Sequence, residues 1–241
     1  MGIGRRSWQV GVALACALAA LILVPGIASD ASDDPVCSDD FNDPGSGWDT
    51  GTSLAGTAAY RNGRLEMRMA HRDDVLWSWS PCSSVPDDFV LEVTAHSRPG
   101  IDIVSWGAVW GVDDENLLVF LITPTGLATV RSMRNGKWQP PLIDWKESPA
   151  IDQGDGVPNT LRVTVEGNWV TVRINNVNLG RFEIGASDDL GFGLLEGADE
   201  TAPGPVSLAD GSDWKVGVAV GAFQQTPVEV EFQSFAICDA P

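Results

Sequence analysis

Histidine is almost missing from this chain: His71 and His96 are the only two in 241 residues. Neither lies in a ligand cluster or beside a nucleophile, so serine or cysteine hydrolysis lacks its base and a histidine-based zinc site lacks its ligands. No Gly-x-Ser-x-Gly elbow and no His-Glu-x-x-His helix occurs anywhere. Basic residues are also scarce, 15 against 33 acidic ones, for a net charge of −18. Such a surface repels phosphate backbones and anionic lipid, which excludes nucleic acid as a partner.

Long apolar runs are absent except for one at the start, Val10 to Val24. Arg5 and Arg6 precede it and Pro25-Gly26-Ile27-Ala28 follows it, the layout of a cleavable export signal. The run is shorter than the roughly 20 residues that span a bilayer. Residues 1–28 are therefore expected to be a signal peptide, 29–38 a short linker, and 39–241 a single domain, secreted and free of the membrane after cleavage. Loss of Arg5 and Arg6 takes the 15 basic residues to 13 against 33 acidic ones, a net charge of −20. The lysines left are Lys137, Lys146 and Lys215.

Four cysteines are few, and Cys16 falls in the apolar run. Cys37, Cys82 and Cys238 remain, one pair and one spare thiol in a compartment where disulfides persist. Cys37 with Cys238 would tie the chain ends together, and Cys82 can replace either.

What is abundant is alternation. Phe89, Leu91, Val93 and Ala95 alternate with Val90, Glu92, Thr94 and His96, and the same period of two recurs at 161–166 and 228–233. Asn62-Gly63, Asn135-Gly136 and Gly167-Asn168 supply residues that accept the positive φ of tight hairpins. About a dozen short strands and no amphipathic helix predict an all-β fold, a two-sheet antiparallel β-sandwich of jelly-roll type. One long irregular stretch, 197–213, interrupts the strands.

Four kinds of residue could carry function. Gly217 and Gly221 share one face of their strand, Gly191 and Gly193 do so in theirs, and Gly111 lies with Gly107 opposite Trp106 and Trp110. Together these glycines can floor a shallow channel, or simply relieve crowding in a curved sheet. Trp77 and Trp79 project together, as core or as a sugar-stacking platform, and Trp138 and Trp145 flank Pro140-Pro141 near loops. Glu229 and Glu231 sit two apart on a strand, about 7 Å at a rise near 3.4 Å per residue, within the separation an inverting glycosidase uses. An ordinary solvated sheet face gives the same pattern. Asp113 and Asp114 fall between two strands, as a turn or a metal site. The segment Asp40-Phe-Asn-Asp-Pro-Gly fails as an EF-hand because Pro44 and Gly51 stand where ligands belong.

The order of Asp40-Phe41-Asn42-Asp43 with Gly47-Trp48, Tyr60-Arg-Asn-Gly-Arg-Leu65, Asp88-Phe-Val-Leu-Glu-Val93, Trp110 to Asn116, Asn159-Thr-Leu-Arg-Val163, Val170 to Phe182 and Val228 to Phe235 resembles the concanavalin A-like lectin/glucanase superfamily. It is most similar to bacterial secreted domains of the laminin-G-like and 3-keto-disaccharide-hydrolase-like type. That resemblance implies a glycan-binding sandwich, with calcium possible at a rim. Gly111 and Leu121 stand where hydrolase-like relatives carry arginine and polar groups, and the Glu-x-Asp-x-Glu glucanase signature is absent. The departures point to a noncatalytic, lectin-like module for extracellular or cell-wall polysaccharide. A glycoside hydrolase and an adhesive domain that binds protein are the alternatives.

Overall fold

The computed structural model describes residues 35–100, 104–184, 214–223 and 226–241. The expected signal peptide, the stretch 197–213 and the strand expected around Gly191 and Gly193 lie outside them. In chain order the described strands are β1 (Cys37–Asp39), β2 (Gly51–Thr52), β3 (Gly56–Arg61), β4 (Arg64–Met69), β5 (Asp74–Trp79), β6 (Phe89–Ser97), β7 (Val104–Gly111), β8 (Leu117–Ile122), β9 (Leu127–Arg134), β10 (Lys137–Trp138), β11 (Ile143–Glu147), β12 (Asn159–Glu166), β13 (Trp169–Ile174), β14 (Val177–Glu183), β15 (Lys215–Ala222) and β16 (Val228–Asp239). Among the described residues there is no helix.

Two antiparallel sheets form the sandwich. The first runs β14-β13-β12-β6-β16-β4-β3-β2, with β1 added to the far half of β16. The second runs β10-β9-β8-β7-β15-β5, with β11 beside β9. Asn62-Gly63, Asn135-Gly136 and Asn175-Asn176 each place two consecutive residues at positive φ, as the tight hairpin turn requires.

The alternation read in the sequence becomes the inner face of the first sheet. Phe89, Leu91 and Val93 meet Leu161, Val163 and Val165 on one side and Phe232, Phe235 and Ile237 on the other, all fully buried. A bulge between Phe232 and Ser234 shifts the register of β16, so that both halves of a twelve-residue strand present apolar side chains inward. From the second sheet, Trp106, Trp110, Phe120, Val216 and Val218 complete this core.

The opening segment closes one corner. Asp39 accepts from the Trp48 indole N–H at 2.8 Å, from the Ser46 hydroxyl and from the Phe41 amide. Asp40 and Asp43 cap their own turns by accepting from the amides of Asn42 and Gly45. Trp48 is buried edge-on against Phe235 and Phe41, with ring centroids 4.8 and 5.2 Å away.

The expected Cys37–Cys238 bridge is not formed: the disulfide joins Cys37 to Cys82, and Cys238 is free. The reason is register. Cys37 lies opposite Ile237, which points into the core, so Cys238 one residue on points to the outer face. Cys82, just past β5, reaches the core side instead. Burial pushes the Cys238 thiol pKa up. β1 also begins ahead of the domain boundary expected at 39.

Candidate functional site

The central strands of the second sheet are buried on both faces. Trp106, Trp110, Leu118 and Phe120 face the core, while Val109, Leu117, Val119, Leu121 and Ala219 form a second apolar cluster on the outside. Trp77, Trp79, Trp138 and Trp145, all half-buried, pack against this outer cluster.

Cross-strand register sets where they stand on this face. One row reads Trp79, Gly217, Val109, Val119, Arg131 across β5, β15, β7, β8 and β9. The next row begins Trp77, Ala219, Gly107, Leu121. Trp138 lies opposite Met133 and stands beyond Arg131. Two tryptophans thus wall the β5 side and Trp138 and Trp145 the β9 side, with β5 and β9 about 19 Å apart at ~4.8 Å per strand.

Polar groups fix these rings. Asp114, from the turn between β7 and β8, accepts from both the Trp77 and Trp79 indole N–H groups, at 2.9 and 2.8 Å. The Arg131 guanidinium lies 4.8 Å over Trp138, and burial lowers its pKa. Lys215 Nζ lies 5.9 Å from the Trp79 ring, and Trp145 meets Phe223 edge-on at 5.3 Å. Two locked indoles, a carboxylate and two cations give a surface that can stack pyranose rings and hydrogen-bond their hydroxyls.

Asp113 serves its own turn. Its carboxylate accepts from the amides of Glu115 and Asn116, which lowers its pKa. Of the two acidic residues, Asp113 thus holds its turn and Asp114 orients the indoles.

The glycine reading needs correction. At Gly111 the space for a Cβ is taken by the backbone carbonyl of Asn116, just before β8, at Gly217 by that of Ser78 on β5, and at Gly221 by Ser105 Oγ, 2.5 Å away. These glycines let neighbouring strands approach, and all three are buried. The floor of the face is aliphatic.

Glu229 and Glu231 lie on the other side of the molecule, on the outer face of the first sheet. Arg98 gathers them: its Nη1 is 2.9 Å from Glu229, its Nε 2.7 Å from Glu231, and its Nη2 2.9 Å from Glu66. Arg61 adds a contact to Glu66 at 3.1 Å. Burial, and a hydrogen bond to Glu229, raise the Glu66 pKa against the pull of Arg98. His96, beside Glu231, has its pKa lowered by burial. A polar cavity of about 300 Å³ opens over Glu66, Glu229, Arg61, Arg68 and Arg98. The carboxylates that might have served hydrolysis are held by a shared guanidinium.

Sequence reasoning missed Arg131, Phe223 and the orienting part played by Asp114. The run Leu117–Ile122, apolar at every position, was the available signal: an uninterrupted strand of that kind is covered on both faces.

Solved structures share this arrangement of sheets. The shared fold is the two-sheet antiparallel β-sandwich. A carbohydrate binding module from Bacillus subtilis, CBM66, matches 80% of this chain and 96% of its own length at 16% identity and a TM-score of 0.53. SCLam, a non-specific endo-β-1,3(4)-glucanase of family GH16, matches 90% and 94% at 13% identity and a TM-score of 0.55. A xylan β-1,4-xylosidase from Bacillus halodurans C-125 matches 86% of this chain at 15% identity and a TM-score of 0.54, but the chain spans only 40% of that enzyme. No protein-family model and no curated protein matches the sequence. Carbohydrate-binding modules and glycoside hydrolases thus carry the same sandwich.

Proposed function

We propose that this chain is an exported, noncatalytic carbohydrate-binding module that holds extracellular or cell-wall polysaccharide on the outer face of its second sheet. The observation that carries the reading is the set of four half-buried tryptophans converging there, two of them locked by Asp114. Large aromatic area with few, fixed polar groups is the composition of a ligand site rather than of a solvated sheet face. Export is supported by Arg5, Arg6 and the apolar run that follows, and by a disulfide that suits an oxidising compartment. A noncatalytic role is supported by the capture of Glu66, Glu229 and Glu231 on Arg98, away from the tryptophan face.

The test is retention on insoluble polysaccharides, followed by calorimetric titration with soluble oligosaccharides. Binding should be lost in the double variant Trp77→Ala/Trp79→Ala, with no new reducing ends released. Failure to retain the protein on any polysaccharide would sink the reading. Release of reducing ends that stops in Glu229→Gln or Glu231→Gln would establish a glycoside hydrolase instead. Capture of a protein ligand without any glycan would establish an adhesive domain.

A further inference from the structure

Where the edge strands β2 and β5 leave the sandwich open, a cavity of about 250 Å³ lies between the sheets, bordered by Asp49, Thr50, Thr52, Ser53, Leu76 and Trp77. Trp77 is the shared wall: the same residue that packs on the tryptophan face lines this cavity around the corner. The adjoining wall is held to β5 by two hydrogen bonds. The Asp49 amide donates to Trp79 O at 3.2 Å, and Ser78 Oγ donates to Asp49 O at 2.7 Å, so the segment after Trp48 is pinned along the edge of β5.

The side chains on that pinned segment are uncommitted. Among the described residues, the Asp49 carboxylate makes no hydrogen bond or ion pair, and neither does the Thr50 hydroxyl, although the Asp49 backbone is fixed at both its amide and its carbonyl. A Cβ added at Gly51 would meet nothing within 4 Å, so the space in front of them is open. A rigid backbone that presents a carboxylate, a hydroxyl and an indole edge to one sugar-sized space suits a neutral sugar ring, whose adjacent hydroxyls donate to both carboxylate oxygens. An anionic sugar would meet the Asp49 charge and the net charge of −18.

We infer that this edge cavity is a further saccharide subsite, continuous with the tryptophan face around Trp77, that takes one neutral sugar ring through Asp49 and Thr50. The inference rests on the glycan-binding reading of that face, and it makes Asp49 a residue that sets how many rings are held and of which charge.

The experiment is calorimetric titration of the whole chain with neutral gluco-, xylo-, manno- and galacto-oligosaccharides of two to six rings, and with oligogalacturonate. In the wild type, affinity should rise with chain length and then show one further step when a ring reaches the cavity. Asp49→Ala and Thr50→Val should each erase that last step, Asp49→Ala by roughly ten- to a hundredfold as expected for hydrogen bonds to a charged acceptor. Shorter ligands should be unaffected, and so should the melting temperature. Trp138→Ala, at the far side, should weaken every length while leaving the step in place. A length series unchanged in both Asp49→Ala and Thr50→Val overturns the subsite and leaves the tryptophan face standing. Tighter binding of oligogalacturonate than of neutral chains also overturns it. Binding of no oligosaccharide overturns the subsite and the face together.

Discussion

Along β12 the outward residues are Thr160, Arg162 and Thr164, while along β8 they are Leu117, Val119 and Leu121. The two strands sit in equivalent central places, one in each sheet, and their inward faces are equally apolar. On the first sheet the outside is finished by ion pairs, with Arg162 on Glu92 at 2.6 Å and Arg98 on its three glutamates. On the second it is finished by indoles lying on aliphatic side chains. Water solvates the first arrangement directly, whereas on the second four half-buried indoles stand between water and a buried aliphatic layer, the feature on which the proposed binding role rests.

The sharpest way to break this contrast is to cut the outer cluster itself. Leu121→Ala should cost about 2–5 kcal/mol in urea unfolding although it lies outside the sandwich, as a core truncation does. Thr164→Ala, its counterpart on the first sheet, should stay within ~0.5 kcal/mol. Equal effects would mean that the outer cluster is not a packed layer.

Next in size is ligand binding. Trp79→Ala should weaken polysaccharide retention by roughly thirtyfold, the scale of a central anchor residue. Trp169→Ala, whose ring stacks under Arg181 on the first sheet, should leave retention unchanged. Asp114→Asn, which keeps the shape but weakens the acceptor for both indoles, should lie between them.

Arg98→Met tests the charged face. With the guanidinium removed, Glu66, Glu229 and Glu231 repel one another, and unfolding at pH 7 should lose about 1–2 kcal/mol, reduced by the partial exposure of Arg98. The loss should shrink as pH falls and Glu66, which titrates above its ordinary 4.5, takes up its proton.

The smallest effects are two opposing pH trends within this cluster. Glu66 titrates above its ordinary 4.5, so its contribution is complete below 4.5 and is lost as pH rises through the raised value. Glu66→Gln should remove that decline. His96 titrates below its ordinary 6.5, so its contribution is complete above 6.5 and is lost as pH falls through the lowered value. His96→Gln should flatten that side. Unfolding curves from pH 3 to 8 separate the two, and trends of the reverse sign would contradict the burial of these groups.

Sequence pattern revealed the first sheet far better than the second. Strict alternation in β6, β12 and β16 declares which face is dry, and the Asn-Gly pairs declare where the hairpins turn. In β8 alternation is lost because both faces are dry, and in β7 and β15 glycine stands where a carbonyl of the next strand comes close. Trp77 and Trp138 are far apart in sequence and have four strands between them, so their placement on one face depends on the register of every one of those strands. The partner of Cys37 turned on a register offset of one residue, which no spacing reveals.

That bridge has a consequence for the aromatic wall. β5 is an edge strand, bonded within its sheet only to β15, and it carries Trp77 and Trp79. Cys82 follows it directly and is fastened through Cys37 to the opposite sheet. Without the bridge the far side of β5 is held, among the described residues, only by the hydrogen bonds to Asp49, and with it a covalent tie to the first sheet is added. The compartment in which the chain folds thereby sets how firmly Trp77 and Trp79 are carried.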